Sequence, residues 1–269
     1  MIKWLCKIER MRFMDSWKRK GVLLATLFLM IAGCVTFNDV EPPVGVAWHT
    51  FYEPIESPVL HSFMEASLQE AIVWFGKPIE PIREVKLRRS RKRSAWRHLR
   101  IAEDFSLMER VPDTSGDVVI YLGVDADSDE VWFLLAHEVV HLLNPAVKDW
   151  YMEGLASYFA ITFCEERFGS SGGWRTRFER MEHEPYACSY RMIRAVAELA
   201  PEVMRRMVDF AVADEVRVDW QRIDVDGWLA SMSVEERDRV LEKMKPYVKR
   251  LAARPVDQMA FTVPELLEW

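Results

Sequence analysis

Little glycine, no long apolar run and no excess of basic residues limit what this chain can be. Glycine contributes 11 of 269 residues, far below the share of about one in three that a collagen needs. The longest apolar run is shorter than the ~20 residues that cross a bilayer, which excludes a multi-span membrane protein. Acidic residues outnumber basic ones, 42 to 36, which argues against a dedicated nucleic-acid binder. The remaining composition, 50% apolar and 29% charged, is that of a globular protein.

Residues 1–33 have the parts of a secretory signal. Basic residues at 18–20 precede an apolar stretch at 21–31, and small residues follow it. The sequence Ile-Ala-Gly-Cys, which ends at Cys34, resembles the lipobox of bacterial lipoproteins. The resemblance implies that the signal is removed and that Cys34 becomes the lipidated first residue. The alternative is an uncleaved signal anchor with a chance cysteine.

The lipobox also predicts a location for the mature chain. It implies a lipid-anchored protein on the periplasmic face of a bacterial cell envelope. The mature chain has 29 basic and 40 acidic residues, so lipid rather than electrostatic attraction would hold it to the membrane. Val35 stands where an aspartate usually retains lipoproteins at the inner membrane, which favours the outer membrane. Residues 34–56 are expected to be the lipidated N-terminus and a tether.

Two cysteines, Cys164 and Cys188, remain besides the lipobox cysteine after cleavage. In an oxidising compartment they can form one disulfide. Free cysteine is also among the residue types most often buried, so two inert buried thiols are an equal alternative.

Capping patterns mark the ends of predicted helices. Ser57 and Pro58 form an N-cap followed by proline in the first turn, and apolar residues then recur at helical spacing until Gly76. Ser233 is followed three residues later by a glutamate, the form of a capping box. Pro201 divides another helical stretch in two.

Strands come first in this chain and helices later. Residues 83–89 and 117–123 predict strands, and the second is clearer because it is β-branched and ends in glycine. From residue 127 onward the pattern is almost entirely helical. We therefore expect residues 57–269 to form one α+β domain, with a small N-terminal sheet and a mainly helical C-terminal part.

Residues 83–100 include nine basic residues. Such a run can contact lipid headgroups or an acidic substrate. More often it is a solvated loop or a strand edge, where charge discourages aggregation.

Residues 131–143 are apolar on every face of a predicted helix except at three positions, His137, Glu138 and His141. A helix that is apolar all round is buried, and polar groups in an interior need a partner. The two histidines lie one turn apart on the same face, so their imidazoles can bind one Zn²⁺. Glu138 lies about 100° around the helix, where it can take a proton from a metal-bound water. Core histidines bonded to backbone carbonyls are the alternative.

Glu153 is the only charged residue in the apolar stretch from 150 to 164. It therefore needs a partner for the same reason as the histidines. Together with them it would supply three protein ligands and leave the fourth zinc position for water, which is the pattern of catalytic sites. Gly154 is unfavourable inside a helix, so we expect the backbone there to lie close to the helix that carries the histidines.

The motif His-Glu-x-x-His at 137–141, followed by Glu-Gly-Leu-Ala-x-Tyr from Glu153, resembles the gluzincin zinc peptidases. The short gap between the two motifs is similar to that of the compact peptidase-MA-like group. The resemblance covers about residues 115–200 and implies a zincin-like fold with one Zn²⁺. It implies hydrolysis of a peptide or protein substrate by a zinc-bound water that Glu138 activates.

The same resemblance assigns further roles. The strand at 117–123 would lie along the cleft and pair with the extended substrate backbone. Gluzincins usually add a Tyr or His that hydrogen-bonds the oxyanion, and Tyr190 is favoured here, then Tyr186, with His183 as a further candidate. Ser157 stands where a carboxylate often orients a zinc-bound histidine, and its hydroxyl is a weaker partner.

A second hypothesis follows because Ser157 departs from the gluzincin pattern and the oxyanion donor is not settled by the sequence. The chain can be a catalytically weak or inactive zincin-fold envelope lipoprotein that acts as a binding or scaffold protein. A non-catalytic lipoprotein with a chance His-Glu-x-x-His is a third.

Overall fold

The computed structural model describes residues 52–90, 106–111, 116–181, 184–253 and 259–267. The predicted signal peptide, Cys34 and most of the tether lie outside the described residues, as do His183 and the basic residues from 91 to 100. Within the described ranges, no helix combines the length and the apolar character that crossing a bilayer requires.

Strands and helices are largely separated along the described chain. The strands are β1 (Tyr52–Pro54), β2 (Glu84–Ser90), β3 (Leu107–Arg110), β4 (Asp117–Leu122), β5 (Ala211–Ala213) and β6 (Gln221–Ile223). The helices are α1 (Pro58–Phe75), α2 (Val131–His141), α3 (Trp150–Phe168), α4 (Trp174–Arg180), α5 (Pro185–Ala197), α6 (Pro201–Arg205), α7 (Val225–Ala230) and α8 (Val234–Ala252), with a 3₁₀ helix at Arg206–Phe210.

Four strands form one sheet in the order β1-β2-β4-β3. β2 and β4 run parallel, with Glu84 opposite Asp117 and Arg89 opposite Leu122. β1 pairs antiparallel with β2, and β3 pairs antiparallel with β4. A small sheet followed by many helices confirms the predicted α+β class.

β4 lies inside this sheet and not at its edge. Its residues pair with β2 on one side and with β3 on the other. The prediction that residues 117–123 pair with a substrate is therefore wrong, because the backbone groups of this strand are already used. Among the described strands, β3 is the edge strand on that side of the sheet.

Two further differences concern short strands that the pattern did not predict. β1 lies within the predicted tether, and Tyr52 is buried there against Tyr121 with a ring distance of 4.9 Å, so the folded domain begins before residue 57. β5 and β6 form a separate antiparallel pair inside the part predicted to be helical. Strands of three residues are too short to show a periodic pattern.

The predicted helix ends are confirmed by their caps. The Ser57 hydroxyl accepts from the Leu60 N–H at 3.4 Å, and Pro58 is the first residue of α1. Gly76 ends that helix with φ of +90°, a conformation that favours glycine. Ser233 caps α8 by accepting from the Glu236 N–H at 3.3 Å.

The described part of the basic run, residues 83–90, belongs to a strand whose cations have acidic partners. Arg83 lies 3.0 Å from Asp117, and Arg89 lies 2.7 Å from Glu53 on β1. β2 is paired with β1 on one side and with β4 on the other, so this part of the run is neither a solvated loop nor a strand edge.

One hydrophobic core extends from the sheet through the first helices to α5, α7 and α8. Val118, Ile120 and Leu122 of β4 are buried in one cluster with residues of α1, α2 and α3. Burying each such side chain contributes about 1.5–3 kcal/mol. α2 is therefore placed in the interior, with the sheet on one side and α3 on the other.

Candidate metal centre

α2 brings three polar side chains into this interior. His137 and Glu138 are each 2% exposed, and the side chain of His141 is 12% exposed. The two histidines lie one turn apart with their ring centres 5.1 Å apart. The helical spacing in the sequence therefore places both imidazoles on one face, as predicted.

α3 supplies a carboxylate to the same point. Glu153, 2% exposed, lies with Oε2 3.1 Å from Nε2 of His137 and with Oε1 3.6 Å from Nε2 of His141. The two Nε2 atoms are 3.3 Å apart. Among the described residues, these three form the one group of His, Cys, Asp and Glu that can hold a metal ion.

Two of these separations fit the edges of a tetrahedral zinc site. Ligand bonds of about 2.0–2.1 Å at tetrahedral angles put neighbouring donor atoms about 3.3 Å apart. The 3.1 Å separation from Oε2 of Glu153 to His137 and the 3.3 Å separation between the histidines lie close to that value. The 3.6 Å separation to His141 belongs to the other carboxylate oxygen, Oε1. Two imidazole nitrogens and one carboxylate oxygen also match the donor types of catalytic zinc sites, and they leave one position for water.

Ser157, one turn after Glu153 on α3, contacts the other side of the first histidine. Its hydroxyl oxygen lies 3.3 Å from Nδ1 of His137, and Ser157 is fully buried. When Nδ1–H donates to this oxygen, the lone pair of His137 is on Nε2 and faces the cluster. Ser157 therefore stands at the orienting position expected from the sequence.

Electrostatic coupling within the cluster is strong. Burial raises the pKa of Glu153, but the charge of His141 and the hydrogen bonds from both histidines outweigh burial and lower that pKa to about 2. Burial lowers the pKa of His141, but the charge and hydrogen bond of Glu153 and the charges of Glu138 and Asp149 raise it above 6.5. Glu153 is therefore held in its ionised form, which is the form that a metal ion requires.

Asp149 is a member of this electrostatic environment that the sequence did not identify. It is 1% exposed, and burial raises its pKa to about 6 against the opposing effect of three backbone N–H groups. Asp149 immediately precedes α3. An aspartate directly before an apolar helical stretch indicates an N-cap, and this pattern could have identified the residue from the sequence.

The hydroxyl of Tyr190 points to a different part of the molecule. It accepts from Nη1 of Arg175 at 3.2 Å, and Arg175 in turn donates from Nε to both carboxylate oxygens of Glu165, at 2.8 and 3.1 Å. Glu165 follows Glu153 by twelve residues, about 18 Å along α3. This geometry does not support Tyr190 as the oxyanion donor.

Tyr186 lies nearer to the cluster. Its ring packs edge-on against Trp150, at 5.2 Å, and Trp150 is the first residue of α3, three residues before Glu153. An oxyanion role for Tyr186 stays a prediction.

Gly154 allows a close helix contact, but with a different helix from the one expected. A Cβ atom added there would lie 2.6 Å from the Ser189 carbonyl oxygen and 2.6 Å from Ile193 Cγ1, both on α5. The expectation that this glycine faces α2 is therefore wrong. Glu153 is the neighbour that faces α2, about 100° around α3 from Gly154.

Cys164 and Cys188 are free and buried, so the structure contains no disulfide between them. Burial raises the pKa of the Cys164 thiol to about 12. Cys188 lies with its sulfur 3.6 Å from the Tyr247 carbonyl oxygen. These are the two inert thiols that the sequence left as one alternative.

Comparison with known proteins adds no family to these observations. No family model, no curated protein and no solved structure matches the chain.

Proposed function

We propose that this protein is a zinc-dependent peptidase whose metal ligands are His137, His141 and Glu153. The observation that carries the proposal is the buried His-His-Glu cluster, in which one ligand atom from each of the three residues lies within 4.8 Å of the others. A zincin-like arrangement of sheet, α2 and α3 is part of the proposal. It is supported by the pair of helices that supply the ligands and by the neighbouring edge strand β3.

A zinc ion held there would polarise a peptide carbonyl and make water a stronger acid. Glu138 follows the first ligand on α2, so its carboxylate is suited to accept the proton of the attacking water and to return it to the leaving amine. With Nδ1–H donating to the Ser157 hydroxyl, His137 would bind the metal through Nε2. β3, with an unpaired edge among the described strands, is suited to hold an extended peptide by backbone hydrogen bonds.

The test is the zinc content of residues 35–269 purified without chelator, measured by elemental analysis. We expect one zinc per chain in the wild type and none in the His137→Ala/His141→Ala double variant. Hydrolysis of a mixed peptide library should follow the metal and stop with a chelator. A wild type that stays free of metal after zinc is added back would contradict the proposal.

One set of observations favours a second candidate function. Ser157 replaces a stronger carboxylate partner, and Arg175 engages the hydroxyl of Tyr190. Both features would suit a zinc-binding envelope protein that binds a partner without hydrolysis. Bound zinc without cleavage of any peptide in the library would support this candidate.

We also propose that the chain is a lipoprotein of the bacterial envelope, anchored through Cys34. The basic, apolar and small residues before that cysteine support the proposal. Cys34→Ser should release the protein from the membrane fraction, with a Cys164→Ser variant as the control. A lipid label that persists on the Cys34 variant would contradict it.

A further inference from the structure

The first turn of α3, which carries Glu153, is held by residues far away in the sequence. The first four N–H groups of an α-helix have no partner within the helix. In α3 the Trp150 N–H donates to the Ala260 carbonyl at 3.3 Å, whereas the Glu153 N–H makes the first regular helical bond, to the Asp149 carbonyl at 3.1 Å. The two N–H groups between them donate to the Asp149 carboxylate. The first three N–H groups of α3 are therefore satisfied by the Asp149 carboxylate and by the C-terminal segment, defined here as residues 259–267.

The residues just before α3 form the middle strand of a small three-stranded arrangement. The Lys148 N–H donates to the Gln221 carbonyl at 3.0 Å, and the Lys148 carbonyl accepts from the Ala260 N–H at 3.0 Å. The second carboxylate oxygen of Asp149 accepts from the Ile223 N–H on β6 at 2.5 Å. Because Asp149 is 1% exposed, water does not compete for these bonds.

A side chain in the same turn strengthens the attachment. The Tyr151 hydroxyl donates to the Thr262 carbonyl at 2.8 Å, and its ring stacks on Phe261 with a centre distance of 5.2 Å. Tyr151 is fully buried. β6 and the C-terminal segment thus hold the beginning of α3 from two sides.

Glu153 depends on this support because it lies in the first turn of α3, and helix ends commonly fray. A metal ligand must stay within about 0.5 Å of its productive position. A loosened first turn would move the carboxylate out of reach of the histidines.

We propose that Asp149, Tyr151 and the C-terminal segment are positioning elements that fix Glu153 and thereby set the metal affinity of the cluster. This inference rests on the proposed zinc site. It gives the C-terminal segment a role in the chemistry of a site more than a hundred residues earlier in the chain.

The experiment compares two matched N-cap variants, Asp149→Ala and Asp224→Ala. Asp224 caps α7 in the same way, by accepting from the Gly227 N–H at 3.0 Å, and α7 carries no proposed ligand. Zn²⁺ affinity is measured by competition with a chelator at a temperature where circular dichroism shows both variants folded. We expect Asp149→Ala to weaken zinc binding by about 10–100-fold and Asp224→Ala to leave it unchanged. The absorption spectrum of the Co²⁺ form should change only in Asp149→Ala.

A milder pair keeps the test decisive if Asp149→Ala does not fold. Tyr151→Phe removes only the bond to the C-terminal segment, and we expect zinc affinity to fall about fivefold. Tyr158→Phe, on the same helix beyond Glu153, should leave affinity unchanged. If the wild type binds zinc and both Asp149→Ala and Tyr151→Phe bind it with full affinity, the positioning role is wrong, although the metal site stands. A wild type without zinc would overturn both.

Discussion

Two carboxylates on α3, Glu153 and Glu165, lie in polar clusters of opposite character. Glu165 is 29% exposed in its side chain, and its partner is Arg175. The hydrogen bond from Arg175 outweighs burial and lowers the pKa of Glu165. Glu153 is buried among two imidazoles, which carry charge only when protonated.

The two carboxylates differ in the kind of partner that each one requires. An arginine is a permanent cation in a fixed fork geometry, so the Glu165 pair is complete by itself. The imidazoles around Glu153 offer lone pairs as well as protons, and a metal ion can use those lone pairs together with the carboxylate. The same residue type on one helix therefore forms an ion pair at one end and a candidate metal centre at the other.

The largest expected effect is a difference in zinc content between variants of Glu153 and Glu165. Glu153→Ala removes one of three proposed ligands, so we expect bound zinc to fall from one per chain to none detectable. Glu165→Ala should leave zinc content unchanged, because it disturbs the contacts with Arg175 and Ser171 and none with the three proposed ligands. Elemental analysis of both variants checks this, and equal zinc content would mean that Glu153 is not a ligand.

The next effect separates metal binding from catalysis within the buried cluster. Glu138→Gln keeps the size of the side chain but cannot accept a proton, so hydrolysis should fall about 10²–10⁴-fold while zinc content stays at one per chain. Glu165→Gln is the control and should keep full turnover. Turnover rates on the best library peptide provide the measurement, and unchanged turnover of the first variant would remove Glu138 from its role.

A smaller effect concerns the support of His137. Ser157→Ala removes the hydroxyl beside Nδ1, so zinc affinity or turnover should fall about 10–100-fold. Ser189→Ala changes an equally buried serine on α5 and should have no such effect. Chelator competition and steady-state kinetics distinguish the two, and the role of Ser157 would be wrong if both variants behaved alike.

The smallest effect is the pH dependence of the metal-free protein. The raised pKa of His141 contributes stability that is complete below pH 6.5 and is lost as the pH rises through that pKa. The lowered pKa of Glu153 contributes stability above pH 4.5 that is lost as the pH falls towards about 2. The cluster should therefore stabilise the metal-free chain most between about pH 4.5 and pH 6.5.

Thermal unfolding measured at a series of pH values tests where the cluster stabilises the metal-free chain. Losing about 1 kcal/mol above pH 6.5 would lower the Tm of the metal-free wild type by about 2–4 °C relative to His141→Ala. Zinc should raise the Tm more at high pH, because binding no longer displaces a proton from His141. If the Tm of the wild type and the Tm of His141→Ala changed with pH in the same way, the electrostatic coupling between His141 and Glu153 would be wrong.

Local patterns predicted the parts of the fold that depend on neighbours in sequence. The cap at Ser57, the end of α1 at Gly76 and the cap at Ser233 follow from hydrogen bonds within one helical turn. The side-by-side histidines follow from the pitch of α2. The joining of Glu153 to them was also predicted, because an isolated charge in an apolar helix needs a partner.

The sequence by itself thus determined the helices, the strand β4 and the chemical types of the candidate ligands. Tertiary structure alone decided which elements became neighbours. It placed β4 inside the sheet, turned Gly154 towards α5 and attached the Tyr190 hydroxyl to Arg175. It also brought the C-terminal segment to the first turn of α3. The physical reason is that periodicity and capping reflect contacts within about one helical turn, whereas these neighbours are separated by 8 to 110 residues and depend on packing of the whole domain.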